Sequence, residues 1–125
     1  MTLYEIVKMF REEKPNKVSD AHVVQWINEC EDEVQNMLNI PQEEWVSYTT
    51  EDIAEGSETE PVVPRPYQKL YLFWLQARLD YANQEYEGYS NNWAQCKAQL
   101  DAFNAMAIRE QIKISKLPTN FKNIF

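Results

Sequence analysis

The chain holds one histidine, His22, two glycines, Gly56 and Gly88, and two cysteines, Cys30 and Cys96, among 125 residues. Each scarcity removes a class of chemistry. Nucleophilic catalysis needs a base beside the nucleophile, and the only imidazole falls in the first turn of an expected helix, where it is exposed or caps. Two glycines are too few for a turn-rich β sandwich or for loops that cradle phosphate through bare backbone. The cysteines form no CxxC and have no local histidine, so zinc spacing is absent and both read as buried thiols of a reducing compartment. No DxDxDG spacing supplies a calcium loop. Apolar runs stop well short of the ~20 residues of a membrane span. The opening MTLYEIVKMFREE interrupts its apolar residues with charge, unlike a secretory signal. The expectation is a protein soluble and intracellular at synthesis, with no cofactor, no metal and no catalytic role.

What is present is acid, aromatic rings and helical period. The formal charge is −8, from 20 acidic and 12 basic residues, with apolar residues at 44%. That apolar content and length suit one domain with a real core. The acid peaks in residues 42–66, QEEWVSYTTEDIAEGSETEPVVPRP, where Glu43, Glu44, Glu51, Asp52, Glu55, Glu58 and Glu60 stand against Arg65 alone. The last stretch reverses sign, with Lys113, Lys116 and Lys122 and no acid. A net-acidic chain repels phosphate backbones. Stacking on single strands also needs a cationic groove, and residues 67–111 set Lys69, Arg78, Lys97 and Arg109 against five acids.

Thr2 and Glu5 form a capping box ahead of Leu3, Ile6, Val7 and Phe10, the stripe of a short amphipathic helix that Pro15 and Asn16 end. Ser19 or Asp20 caps a second helix with Val23, Ile27, Cys30, Val34, Met37 and Leu38 on one face. Glu29, Glu31, Asp32 and Glu33 fill its other positions as a solvated face, and Pro41 follows its end. Residues 42–66 lack helical period. They read as a long loop, of which residues 42–63 are expected to be mobile and dispensable for folding, and in which EWVSYTT and PVV are the candidates for a hairpin. Pro66 opens a third helix bearing the stripe Leu70, Trp74, Ala77 and Tyr81, with Tyr67, Tyr71 and Arg78 beside it. Gly88 breaks that helix, and Ser90 or Asn91 caps a fourth with Trp93, Cys96, Leu100, Phe103 and Ala107 as its core face. The result is an all-α, four-helix bundle-like domain over residues 1–112. Helices three and four pair as an antiparallel hairpin, and the acidic loop joins helices two and three. Residues 113–125 form an extended tail. Its Ile114, Leu117, Phe121, Ile124 and Phe125 suit docking on a partner better than exposure to water. Most of the rings from Tyr67 to Trp93 sit at core spacing.

VVQWINECEDEVQNML and YQKLYLFWLQARLDYANQEYEGYSNNWAQCKAQLDAF resemble the helices of the small head–tail connector (adaptor) proteins of long-tailed bacteriophages and prophages. The resemblance covers the organisation of residues 3–111. It implies a structural protein of the virion, a homo-oligomeric ring beneath the portal that continues the DNA channel. Its partners would be the portal and tail-completion proteins, DNA would pass without specific binding, and there would be no catalytic residues. The residues alone leave a second reading open, a small helical protein–protein interaction module or regulator of a bacterial cell.

Overall fold

The structure, a computed structural model, describes residues 1–111. The tail residues Ile114, Leu117, Phe121, Ile124 and Phe125 lie outside the described residues. Four helices follow one another: α1 (Leu3–Glu13), α2 (Asp20–Met37), α3 (Lys69–Ala82) and α4 (Tyr86–Gln111). The fold is all-α, and no strand occurs among the described residues, so EWVSYTT and PVV do not pair as a hairpin.

Local signals set most boundaries. Glu5 N donates to Thr2 Oγ1 at 3.2 Å and Thr2 N to Glu5 Oε1 at 2.9 Å, the reciprocal cap of α1. Ser19 Oγ accepts from His22 N at 3.2 Å and opens α2. Asn39 adopts φ 58° and ends that helix, with Ile40 N donating back to Gln35 O at 3.1 Å. Asparagine tolerates this left-handed conformation better than most side chains, which is why it closes helices. Leu3, Ile6, Val7 and Phe10 of α1, Val23, Ile27, Cys30 and Val34 of α2, and Leu70, Trp74 and Leu75 of α3 are all buried in one core.

α3 and α4 run antiparallel. Tyr67 meets Phe103, Cys96 Sγ reaches Leu70 O at 3.4 Å, and Trp74 meets Trp93, a descending register. The junction differs from expectation. Gly88 does not break the helix; the chain reverses at Asn83–Glu85 through Gln84, at φ 60°, and Gly88 lies inside the first turn of α4. Its role is close approach, since a Cβ there would stand 2.7 Å from Asp80 Oδ2. Asp80 is wholly buried and cannot swing away. It accepts from Lys14 Nζ at the end of α1 and from Asn92 Nδ2 of α4 at 2.8 Å. An alanine in a helix interior would by itself gain about 0.5–1 kcal/mol over glycine. The clash should outweigh that gain, so Gly88→Ala should lower stability by about 1–2 kcal/mol net. A raised melting temperature would show that Asp80 yields.

Two residues expected in the core are not there. Tyr81 is 60% and Trp93 39% exposed, while Leu100 is half-buried. Cys96, Phe103 and Ala107 are the buried positions of α4, spaced for one side of the helix. Leu100 and Met106 pack against the core beside them, and much of the remaining surface of α4 is exposed.

Candidate interaction surface

The acidic segment is built into the fold rather than looped away from it. It folds as short 3₁₀ turns at Gln42–Glu44, Thr50–Ile53 and Arg65–Tyr67. Tyr48, Ile53 and Val63 enter the core. Three side chains of α2, spaced along one face, hold its backbone. Asn28 donates to Tyr48 O at 3.0 Å and accepts from Tyr48 N at 2.8 Å. Gln35 does the same for Val46, at 3.2 and 2.7 Å. These paired amides mimic the two-way pairing a neighbouring strand would give. Leu3 N donates to Thr59 O at 2.8 Å, which ties the segment to α1 as well.

Between those amides lies Glu31, whose side chain is fully buried. Its carboxylate accepts from the hydroxyls of Tyr48 and Tyr71 and from Val62 N at 2.9 Å. Tyr71 in turn accepts from Val63 N at 3.1 Å. Burial pushes the Glu31 carboxyl above the usual carboxylate range, against the pull of its three donors. Burial and the adjacent Glu31 push both phenols up. The expected mobile loop is thus corrected: a carboxylate read as part of a solvated face is the post on which residues 46–63 are hung.

The acids of the segment project from this fixed path. Glu43, Glu44, Glu51, Glu55, Glu58 and Glu60 are exposed, and Glu60 lies 3.7 Å from the Met1 amino group. Asp52 is half-buried and structural. It accepts from Thr49 N at 2.8 Å and from Thr59 Oγ1 at 2.9 Å, and the Thr49 amide leads in holding its carboxyl below the ordinary range. Among the described residues no three His, Cys, Asp or Glu side chains are placed to hold a metal ion. His22 is exposed and its ring meets Trp26 at 5.3 Å. Both cysteines are buried. Burial, with Cys96 nearby, raises the Cys30 thiol far above its usual value, and burial pushes Cys96 up to about 12. No described helix is long and apolar enough to cross a membrane.

The uncovered apolar surface gathers on the α3–α4 hairpin. A groove of about 280 Å³ near its closed end is lined by Trp74, Ala77, Arg78, Tyr81, Tyr89 and Trp93. Trp74 and Trp93 lie 5.7 Å apart and Tyr81 and Tyr89 5.3 Å apart, the tilted and edge-on geometries rings prefer. Tyr86 adds a further edge contact to Tyr81 while remaining 57% exposed. The Arg78 guanidinium is bound to Glu29 at 2.8 Å and lies 6.0 Å from the Trp26 ring, so its charge is already matched. Trp74 Nε1 is the one buried side-chain polar atom among the described residues without a hydrogen-bond partner. A buried, unpartnered donor costs free energy. Ile108, 54% exposed, is a separate apolar residue further along α4, beyond the exposed Lys97–Asp101 ion pair. Compared with known proteins, the chain matches no family model, no curated protein and no solved structure.

Proposed function

We propose that this protein is a non-catalytic assembly component, the head–tail connector of a bacteriophage or prophage particle, located in the virion and arranged as a ring beneath the portal. One observation carries the reading: Tyr81, Tyr86, Trp93 and Ile108 stand exposed on a hairpin whose other side packs the core. In a ring each subunit offers such a flank to a different surface of the next, a heterologous contact that closes on itself. Exposed aromatics at the centre of an interface are the residues that most often carry its energy. The rigid acidic segment supports the reading from another side. A bore lined by Glu43, Glu44, Glu51, Glu55, Glu58 and Glu60 would repel phosphate, letting DNA slide without being held.

The test is co-expression of the full chain with the portal and tail-completion proteins encoded beside it, with mass measurement and electron microscopy of the products. Rings on the portal are the expected result. Ile108→Glu should leave folding stability within about 0.5 kcal/mol, as surface substitutions do, and weaken assembly at least roughly tenfold if the flank is buried in the contact. A chain that neither self-associates nor binds any neighbouring gene product is not a connector. The aromatic groove then favours the small interaction module that binds a single protein partner.

A further inference from the structure

We infer that the outward face of α4 pairs with the same face of a second copy of this chain, antiparallel, about a two-fold axis that passes beside Ala98. Charge, two exposed apolar side chains and shape each select that partner.

Helical spacing defines the face. Cys96, Phe103 and Ala107 mark the buried side of α4. At about 3.6 residues per turn, the opposite side is Asn91, Ala94, Ala98, Ala102 and Ala105, bounded by Glu87 and Arg109, and all seven are exposed. The series advances by 4, 3, 4, 4, 3 and 4 residues, the same read from either end. Reversing a second copy about Ala98 therefore sets Ala98 on Ala98, Ala94 on Ala102 and Asn91 on Ala105. Side chains this short let two helix axes approach to about 8 Å, the near end of the packing range.

Charge chooses the orientation and the partner. The same reversal sets Glu87 of each copy opposite Arg109 of the other, at both ends of the seam. Neither residue has an ion-pair partner among the described residues. A parallel pairing would set glutamate on glutamate and arginine on arginine, and like charges across an interface are disfavoured. Lys97 and Asp101, an exposed pair 3.8 Å apart, share one flank of the seam, and in an antiparallel pair that flank meets itself. Lys97 of each copy then lies two residues' rise, about 3 Å along the axis, from Asp101 of the other. The face supplies its own complement, which is the property of an isologous contact.

The apolar side chains agree. Tyr86, 57% exposed, and Ile108, 54% exposed, stand on that same flank at opposite ends of α4. Within one chain they are about 33 Å apart along the helix and do not cover each other. In the pair, Ile108 of each copy comes within one turn of Tyr86 of the other, so each end of the seam closes over an apolar contact beside its ion pair. The seam is one helix wide, at the small end of specific interfaces, where complexes are weak and reversible. A ring needs a heterologous contact that repeats, whereas this one closes at two copies. The inference therefore goes beyond the connector reading and holds equally for an interaction module.

Sedimentation equilibrium of the full chain, from low to high micromolar concentration, tests it. The native chain should show a monomer–dimer equilibrium. Ala98→Glu sets two like charges on the axis and should raise the dissociation constant at least roughly tenfold. Glu87→Arg and Arg109→Glu should each weaken the pair. The chain carrying both reversals has opposite charges facing again and should recover most of the native affinity, a result that damage to the fold would not produce. All these positions are exposed, and a melting temperature near the native one confirms that each variant is folded. Register is read by mixing Ala94→Cys and Ala102→Cys chains under mild oxidation. The mixed disulfide should form faster than either like pair, and the native Cys30 and Cys96 are buried and do not compete. A monomer at every concentration overturns the proposal, as does a dimer indifferent to Ala98→Glu. A dimer that the double charge reversal fails to restore uses another face or orientation and overturns it too. Rings formed on the portal by Ala98→Glu as readily as by the native chain would leave the connector reading intact whichever way the sedimentation result falls.

Discussion

A chain in which residues 42–63 are replaced by a short glycine–serine bridge should lose cooperative folding. The bridge removes Tyr48, Ile53 and Val63 from the core. Burial of side chains of this size contributes about 1.5–3 kcal/mol each, so the loss is roughly 4.5–9 kcal/mol, comparable with the whole stability of many domains at about 5–15 kcal/mol. It also strands groups on the rest of the molecule. Asn28 loses both of its bonds to Tyr48, Gln35 loses both of its bonds to Val46 and keeps only Glu31 O, and Glu31 loses Tyr48 and Val62. The measurement is thermal melting followed by far- and near-ultraviolet circular dichroism. The expected outcome is residual helix with no sharp transition. A cooperative melt within about 1 kcal/mol of the native chain would mean that the segment rests on the core without belonging to it.

Substituting Glu31 alone should be nearly as damaging. Glu31→Ala leaves the Tyr48 and Tyr71 hydroxyls and the Val62 amide without their acceptor in a dry site. Unsatisfied buried donors cost about 1–3 kcal/mol each, which for three donors predicts a loss of about 3–9 kcal/mol by denaturant titration. Glu31→Gln keeps the shape and an acceptor oxygen and should cost less. It also exposes the pH dependence of the site. Because burial raises the folded-state pKa of Glu31 above its unfolded value, the native state binds its proton more tightly than the unfolded chain. The resulting stabilisation is full below the ordinary glutamate value near ~4.3 and is lost as pH rises through the raised folded value. The native chain should therefore gain on Glu31→Gln as the pH falls across that window. A difference that stays flat between pH 4 and 8 would mean that the three donors fully offset burial.

How far the sequence reveals this molecule depends on how local each determinant is. The caps at Thr2 and Ser19, the buried stripe of α1 and the pairing of α3 with α4 are written in neighbouring residues and read directly. Glu31 was legible in principle. It lies four residues after Ile27 and three before Val34, on the buried side of α2, and Gln35 follows one turn later. Reading the acids of α2 as one solvated group hid it, because charge was allowed to outrank position. The order in residues 42–63 was not legible. It comes from polar side chains of α2 binding a backbone that has no period of its own, and no local pattern announces such a partner. Tyr81 and Trp93 failed for a different reason. α3 is apolar around most of its circumference, so spacing cannot say which rings turn inward, and only the neighbouring helices decide. Asp80 and Gly88 explain each other, but only once Lys14 and Asn92 are seen around them.

The position of α1 has a consequence for the nascent chain. Its apolar stripe of Leu3, Ile6, Val7 and Phe10 packs against α3 and the Thr50–Ile53 turn, and Lys14 at its end reaches Asp80. All of these partners are synthesised later. At about 5–20 residues per second, the first helix leaves the ribosome several seconds before the residues that cover it. An isolated helix of its 11 residues is marginal in water. For that interval the stripe has no native surface to meet, so early aggregation competes with folding for it. Slowing translation ahead of codon 80 should lower the soluble yield, even though the finished fold would be unchanged.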